Sequence, residues 1–146
     1  MERTELITHF AETFRHLTKD VRTDLTVLFE GLIPFNEFLV LQVVAERKRL
    51  KVSEIADELN VTKSFITLVS EKLINKKLIT RERVEKDRRI VMLVITREGN
   101  SLVEEMNEMK TTYFLKRLEG ISNDEIIQIN DLFKKIILNN SSSSSE

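Results

Sequence analysis

The stretch Ser53–Thr96, SEIADELNVTKSFITLVSEKLINKKLITRERVEKDRRIVMLVIT, decides the fold. Ser53 can cap a brief helix from Glu54 to Leu59, with Ile55, Ala56 and Leu59 facing inward. After Asn60-Val61, Thr62 is a candidate N-cap for a second helix reaching Asn75. The inward face of that helix is Ile66, Val69 and Leu73, and its outward stripe is Lys63, Thr67 and Ser70, with Ser64, Leu68 and Glu71 beside it. Two short helices joined by a tight polar connection form a helix-turn-helix pattern. Leu78–Arg83 and Ile90–Thr96 then read as strands, the second opening with six consecutive apolar residues. Between them Val84–Arg89 reads as a charged hairpin tip. The order helix, helix, strand, charged loop, strand is that of a winged helix-turn-helix.

The flanks of this module are helical. Upstream, Leu6, Phe10, Phe14, Leu17, Val21, Leu25 and Leu28 recur at steps of 3 or 4, one face of a long helix. Gly31 and Pro34 punctuate its end, and Pro34 suits the first turn of a following helix. That helix carries Phe35, Phe38, Leu39, Leu41, Val43 and Val44, is apolar nearly all round and should be central; Arg47–Arg49 marks an exposed connection after it. Downstream, Thr96 can cap a long helix bearing Leu102, Met106, Met109 and Tyr113, closed by Gly120. Ser122 and Glu125 form a capping box for a last helix, rich in Ile, Leu and Phe up to Leu138. A terminal helix this apolar needs a partner surface, and the first helix is equally rich. The economical solution is a homodimer joining the terminal helices of two chains, with Leu6, Phe10, Ile129, Phe133 and Ile136 in the interface. The predicted fold is mainly α with a small β-hairpin wing. It is a single domain over residues 1–140, with the winged module at about 46–97 and dimerisation helices at about 2–30 and 97–139. Residues 141–146 are expected to be a disordered Ser-rich tail.

Composition bounds the chemistry. The chain of 146 residues contains no Cys, which removes disulfides, thiolate metal sites, thiol nucleophiles and cysteine redox sensing. His9 and His16 share a helix face, but seven residues span about 10.5 Å, too far for one ion at ~2.1 Å bonds from that helix alone. No metal, cofactor or enzymatic activity is expected: paired catalytic carboxylates, a phosphate-cradling Gly loop and a His triad are all missing. No apolar run approaches the ~18 residues of a membrane span, and the start MERTELITHF lacks the basic-then-apolar order of a signal peptide, so the expected location is the cytoplasm. The net charge of −1 argues at face value against a nucleic-acid partner. Divided by segment it argues the reverse. Residues 46–97 hold 14 basic and 8 acidic residues, net +6, while the remainder holds 9 basic and 16 acidic, net −7. A positive field is thus concentrated on the winged module.

The string DRRIVMLVITREG, Asp87–Gly99, resembles the MarR family of prokaryotic transcriptional regulators through its Asp-x-Arg wing, apolar strand and Thr-x-x-Gly lead into the next helix. Ser53–Ala56 with Leu59 and Val61 is similar to that family's first helix-turn-helix element, and Ile66-Thr67, Leu73, Leu78-Ile79 and Arg81 to its recognition helix and first strand. The resemblance covers almost the whole chain. Two positions depart from the pattern. Lys77 stands where the family usually has Gly, so it must adopt a left-handed conformation or the helix must end differently, through Asn75. Leu68 occupies a stripe position more often basic or polar in the family.

The resemblance implies a DNA-binding regulator, a repressor in the first instance, that grips a pseudo-palindromic operator as a homodimer. Lys63, Ser64 and Thr67 lie where a recognition helix meets base edges and phosphates. Leu68 can pack on a thymine methyl or on the neighbouring helix. Arg89 matches the wing arginine expected in the minor groove, Asp87 would orient it or the nearby backbone, and Arg88 and Lys86 are phosphate contacts. Family members often hold a small aromatic or carboxylate effector between the dimerisation helices and the winged module. The competing reading is a winged-helix protein-interaction adaptor without sequence-specific DNA binding.

Overall fold

The computed structural model describes residues 1–143. The chain forms two compact units, Met1–Lys110 and a second from Thr111 onward. In chain order the elements are α1 (Arg3–Leu28), α2 (Phe35–Arg47), β1 (Arg49–Lys51), α3 (Val52–Leu59), α4 (Lys63–Asn75), β2 (Ile79–Val84), β3 (Asp87–Ile95), α5 (Arg97–Arg117) and α6 (Asn123–Ser143).

The core of the first unit is built around α2, as its all-round apolarity predicts. Phe38, Val40, Leu41, Val43 and Val44 are buried there, joined by Leu25 and Phe29 from the end of α1 and its cap, and by Val103 and Met106 from α5. Phe29 and Phe38 meet with ring centroids 5.1 Å apart, and Gln42 donates to Asn107 at 3.2 Å, satisfying the polar residue that interrupts the run. The first twenty residues, by contrast, are exposed throughout. The helix-turn-helix packs Ile55 and Ala56 of α3 and Ile66, Val69 and Leu73 of α4 inward, the faces expected from periodicity.

Several boundaries differ from expectation. The Arg47–Arg49 connection is shorter than it reads, because Arg49–Lys51 forms a strand. The sheet is therefore three-stranded, order β1-β3-β2, with Leu50 opposite Leu93. A three-residue strand with one apolar residue between two cations has no readable period, so only its pairing reveals it. The chain enters it through Lys48 at φ 69°, a region that favours glycine. The first helix of the pair begins at Val52, two residues earlier than a Ser53 cap implies, and its first turn is closed by Glu54 accepting from the Lys51 N–H at 2.9 Å. The hairpin tip is also shorter: only Glu85-Lys86 bridge the strands, since Asp87 pairs with Val84 while Val91 pairs with Arg83. The slip between those pairs is a bulge in β3, which lets a charged, irregular segment stay on the sheet. Finally, Ser70 is buried, 2% exposed, rather than part of the outward stripe; its hydroxyl donates to the Ile66 carbonyl at 2.6 Å, so a small polar residue can face inward without an unpaired group.

In the second unit, α6 starts at the expected capping box: the Glu125 N–H donates to Ser122 Oγ and the Ser122 N–H to the Glu125 carboxylate, both at 3.2 Å. The Ser122 N–H, and after it the Ser122 hydroxyl, favour the ionised form and hold the Glu125 carboxyl below the usual range. The helix runs to Ser143, three residues into the segment expected to be a disordered tail at 141–146; propagating a formed helix adds one bond per residue, and serine lowers that gain by only about half a kcal/mol. Residues 144–146 lie outside the described residues. No described residue of α6 is buried.

Candidate nucleic-acid interface

The recognition helix α4 starts where Thr62 Oγ1 accepts from the Phe65 N–H at 3.1 Å, the predicted N-cap. With Ile66, Val69 and Leu73 locked in the core, the opposite face is fixed outward: Lys63, Ser64, Thr67 and Leu68 are all exposed. Leu68 is 59% exposed. The turn before α4 is set by Asn60 in the left-handed region (φ 55°, ψ 49°), with the Val61 N–H returning to the Ala56 carbonyl at 3.0 Å. Asn tolerates that conformation better than most residues.

The far end of α4 uses the same device with a poorer residue. Lys77 is left-handed at φ 63°, its N–H donating to Ile74 O at 2.9 Å and the Leu78 N–H to Leu73 O at 3.0 Å. The helix thus closes as a Schellman motif with lysine where glycine is usual. The carbonyls this turn presents are taken up by Thr96, whose hydroxyl lies 2.8 Å from Lys77 O and 2.9 Å from Leu78 O. Thr96 Oγ1 also accepts from the Gly99 N–H at 3.0 Å. Gly99 is glycine for a spatial reason: a Cβ there would sit 2.1 Å from the Leu78 carbonyl oxygen. The Thr-x-x-Gly motif and the Lys77 departure, whose Thr96 and Lys77 are 19 residues apart in sequence, meet at one backbone crossing. That crossing couples the end of α4 to the start of α5.

At the wing, Arg89 Nε and one terminal nitrogen donate to the two Asp87 carboxylate oxygens at 3.0 and 3.1 Å, and the Arg89 backbone N–H adds a bond at 3.1 Å. Asp87 thus orients both the arginine and the backbone. The Arg89 side chain and then its backbone N–H hold the Asp87 carboxyl below its ordinary range, and Asp87 in turn raises the Arg89 guanidinium. The Arg89 side chain is 91% exposed. Two of its five N–H donors face Asp87, and three stay available for acceptors on a ligand. Arg88 and Lys86 are also exposed; the Arg88 carbonyl accepts from Arg83 at 2.9 Å, which steadies the bulge.

Two contacts have no signal in the sequence. Arg81 of β2 pairs with Glu71 of α4, joining wing and recognition helix beside a cleft of about 320 Å³ lined by Thr67, Ser70, Arg83 and Val91. Glu37, 3% exposed on α2, accepts from Lys76 Nζ at 2.7 Å and ties the end of α4 to the core. Both pairs depend on which helix faces which, and spacing does not encode that. Leu6, Phe10, Ile129, Phe133 and Ile136, expected at a dimer interface, are all exposed within the single chain. No helix among the described residues is long and apolar enough to cross a membrane.

Residues 33–91, from the end of the α1–α2 connection to the middle of β3, match the model of the MarR family. The chain is 34% identical over 134 residues to the uncharacterized HTH-type transcriptional regulator YpoP of Bacillus subtilis (strain 168), covering 92% of this chain and 95% of that protein. It is 30% identical to the HTH-type transcriptional repressor MdtR of the same organism, covering 82% and 85% of the two chains. Among solved structures, a MarR family protein from Bacillus stearothermophilus superposes with a TM-score of 0.85 at 18% identity, over 97% of this chain and 99% of that one. With the motif residues, their geometry and relatives spanning nearly its whole length, this chain belongs to the MarR family and is an HTH-type transcriptional regulator, not an enzyme.

Proposed function

We propose that the protein is a homodimeric repressor that binds a pseudo-palindromic operator, with α4 in the major groove and the β2–β3 wing in the adjacent minor groove. The observation that carries this reading is the pre-oriented Arg89: an almost fully exposed guanidinium, forked on Asp87, at the edge of a segment of net charge +6. Such a group fits the narrow minor groove of A·T-rich DNA, where the negative potential is strongest. Lys63, Ser64, Thr67 and Leu68 would face base edges and phosphates, and Lys86 and Arg88 the backbone. Two such modules in a dimer would meet successive major grooves ~34 Å apart. The repressor MdtR among its relatives favours repression over activation. Its place of action is then the cytoplasm, where the DNA is. Control by a small aromatic or carboxylate effector would act on the same geometry, by changing the separation of the two recognition helices.

Gel-shift titration against an operator selected from genomic fragments tests the reading. Affinity should fall steeply with salt, and Arg89→Ala should weaken binding by roughly tenfold or more. Unchanged affinity for Arg89→Ala with binding insensitive to salt would overturn the reading, and salt-sensitive but sequence-blind association beside tight binding to a protein would favour a protein-interaction adaptor.

A further inference from the structure

From Lys63 to Lys72 the outer face of α4 carries no Arg, Asn or Gln, and its lysines stand at the two ends of that stretch. Its exposed residues from Lys63 to Lys72 are Lys63, Ser64, Thr67, Leu68, Glu71 and Lys72. None is the Arg that forks onto guanine, or the Asn or Gln that forks onto adenine. Glu71 is chemically suited to accept from cytosine N4, but its carboxylate is held by Arg81. The Thr67 hydroxyl donates back to the Lys63 carbonyl at 3.0 Å, leaving its γ-methyl for outward contact. Beside it stands Leu68, exposed although the apolar face of the helix is already fully packed. The middle of the reading face is therefore apolar, flanked by lysines that suit phosphates.

In the major groove thymine alone presents an apolar group, its 5-methyl. Building on the operator reading above, we infer that Leu68 and the Thr67 methyl recognise thymine methyl groups, so that thymines near the centre of each half-site set specificity. Between Lys63 and Lys72 this face carries no Arg, Asn or Gln, which would favour guanine or adenine there; Asn75, also exposed, is the last residue of α4, seven residues beyond Leu68. Covering one methyl is worth about 0.8 kcal/mol, or about fourfold in affinity.

The test uses the duplex that the wild-type protein selects from random-sequence DNA, remade with each thymine replaced singly by deoxyuridine, which removes only the methyl. Affinity should drop about fourfold at one or two positions in each half-site. Leu68→Ala should erase the drop at one of them, and Thr67→Ser, which keeps the hydroxyl, at the neighbouring one. Thr67→Val, which keeps a methyl, should preserve it. Both substituted positions, Thr67 and Leu68, are on the surface, and thermal melting checks that folding is unchanged. Tolerance of deoxyuridine throughout the half-site overturns the inference, as does sensitivity that persists in both Leu68→Ala and Thr67→Ser. Selection of no preferred sequence overturns the operator reading itself, and this inference with it.

Discussion

Lys77 sits at φ 63° with its neighbours' amides already committed to the closing bonds of α4. A side chain in that region collides with its own carbonyl, a strain of about 1–2 kcal/mol that glycine does not feel. Lys77→Gly should therefore raise stability, by about 0.5–1 kcal/mol once glycine's greater unfolded-state freedom is subtracted, read as a higher denaturant midpoint at constant m. Gly99 gives the opposite case twenty-two positions on. Its missing Cβ would lie 2.1 Å from Leu78 O and 2.7 Å from Ile95 Cδ1, so Gly99→Ala must push the start of α5 off the Leu78 backbone just before β2 and off the end of β3. A loss of about 1–3 kcal/mol in equilibrium unfolding is expected, the usual range for overpacking. The motif glycine was legible in the sequence as a motif; its cause, the approach of one backbone carbonyl, was not.

Among the elements, α4 is held at both ends by different physics. Its N-terminus depends on Thr62, a local cap readable from the chain order alone, and its C-terminus on Lys76 reaching Glu37, thirty-nine residues earlier. Removing Lys76 would leave a nearly buried carboxylate without its cation. Lys76 is 42% exposed on its side chain, so water can partly replace it, and Lys76→Ala should cost about 2 kcal/mol rather than the 3–5 of a fully enclosed pair. Adding Glu37→Gln should restore part of that loss in a double-mutant cycle, because the charge that had to be solvated is gone. The strand β1 and the bulge at the start of β3 belong to the same scale. Both were hidden in charged stretches, Arg47–Lys51 and Lys86–Ile90, whose residue types read as loop and whose pairing partners lie elsewhere.

For the whole molecule the question is what covers the terminal helices. Phe133 and Ile136 on α6 are 40% and 50% exposed, and Leu6 and Phe10 on α1 are more than half exposed. Full burial of one such side chain is worth about 1.5–3 kcal/mol, which a second copy of the chain would supply. Phe133→Asp combined with Ile136→Asp should shift the protein to monomer in sedimentation equilibrium. Operator affinity should fall by a hundredfold or more, since each half-site would then be bound alone. A dimer that survived both charges would place its interface elsewhere.

The sequence by itself determined the order of the helices and of the two wing strands, the apolar inward residues of α2, α3 and α4, the caps at Thr62, Thr96 and Ser122, and the segregation of charge onto the winged module. Those properties are local: periodicity, capping chemistry and charge act over a few residues and leave their mark in the chain. The tertiary structure alone decided that Ser70 turns inward, that Arg49–Lys51 completes the sheet, that Asp87 forks Arg89, and that Leu68 stands outward on the reading face. Each of these depends on which surfaces meet across a distance in sequence. Packing resolves that choice only once the helices and strands are assembled.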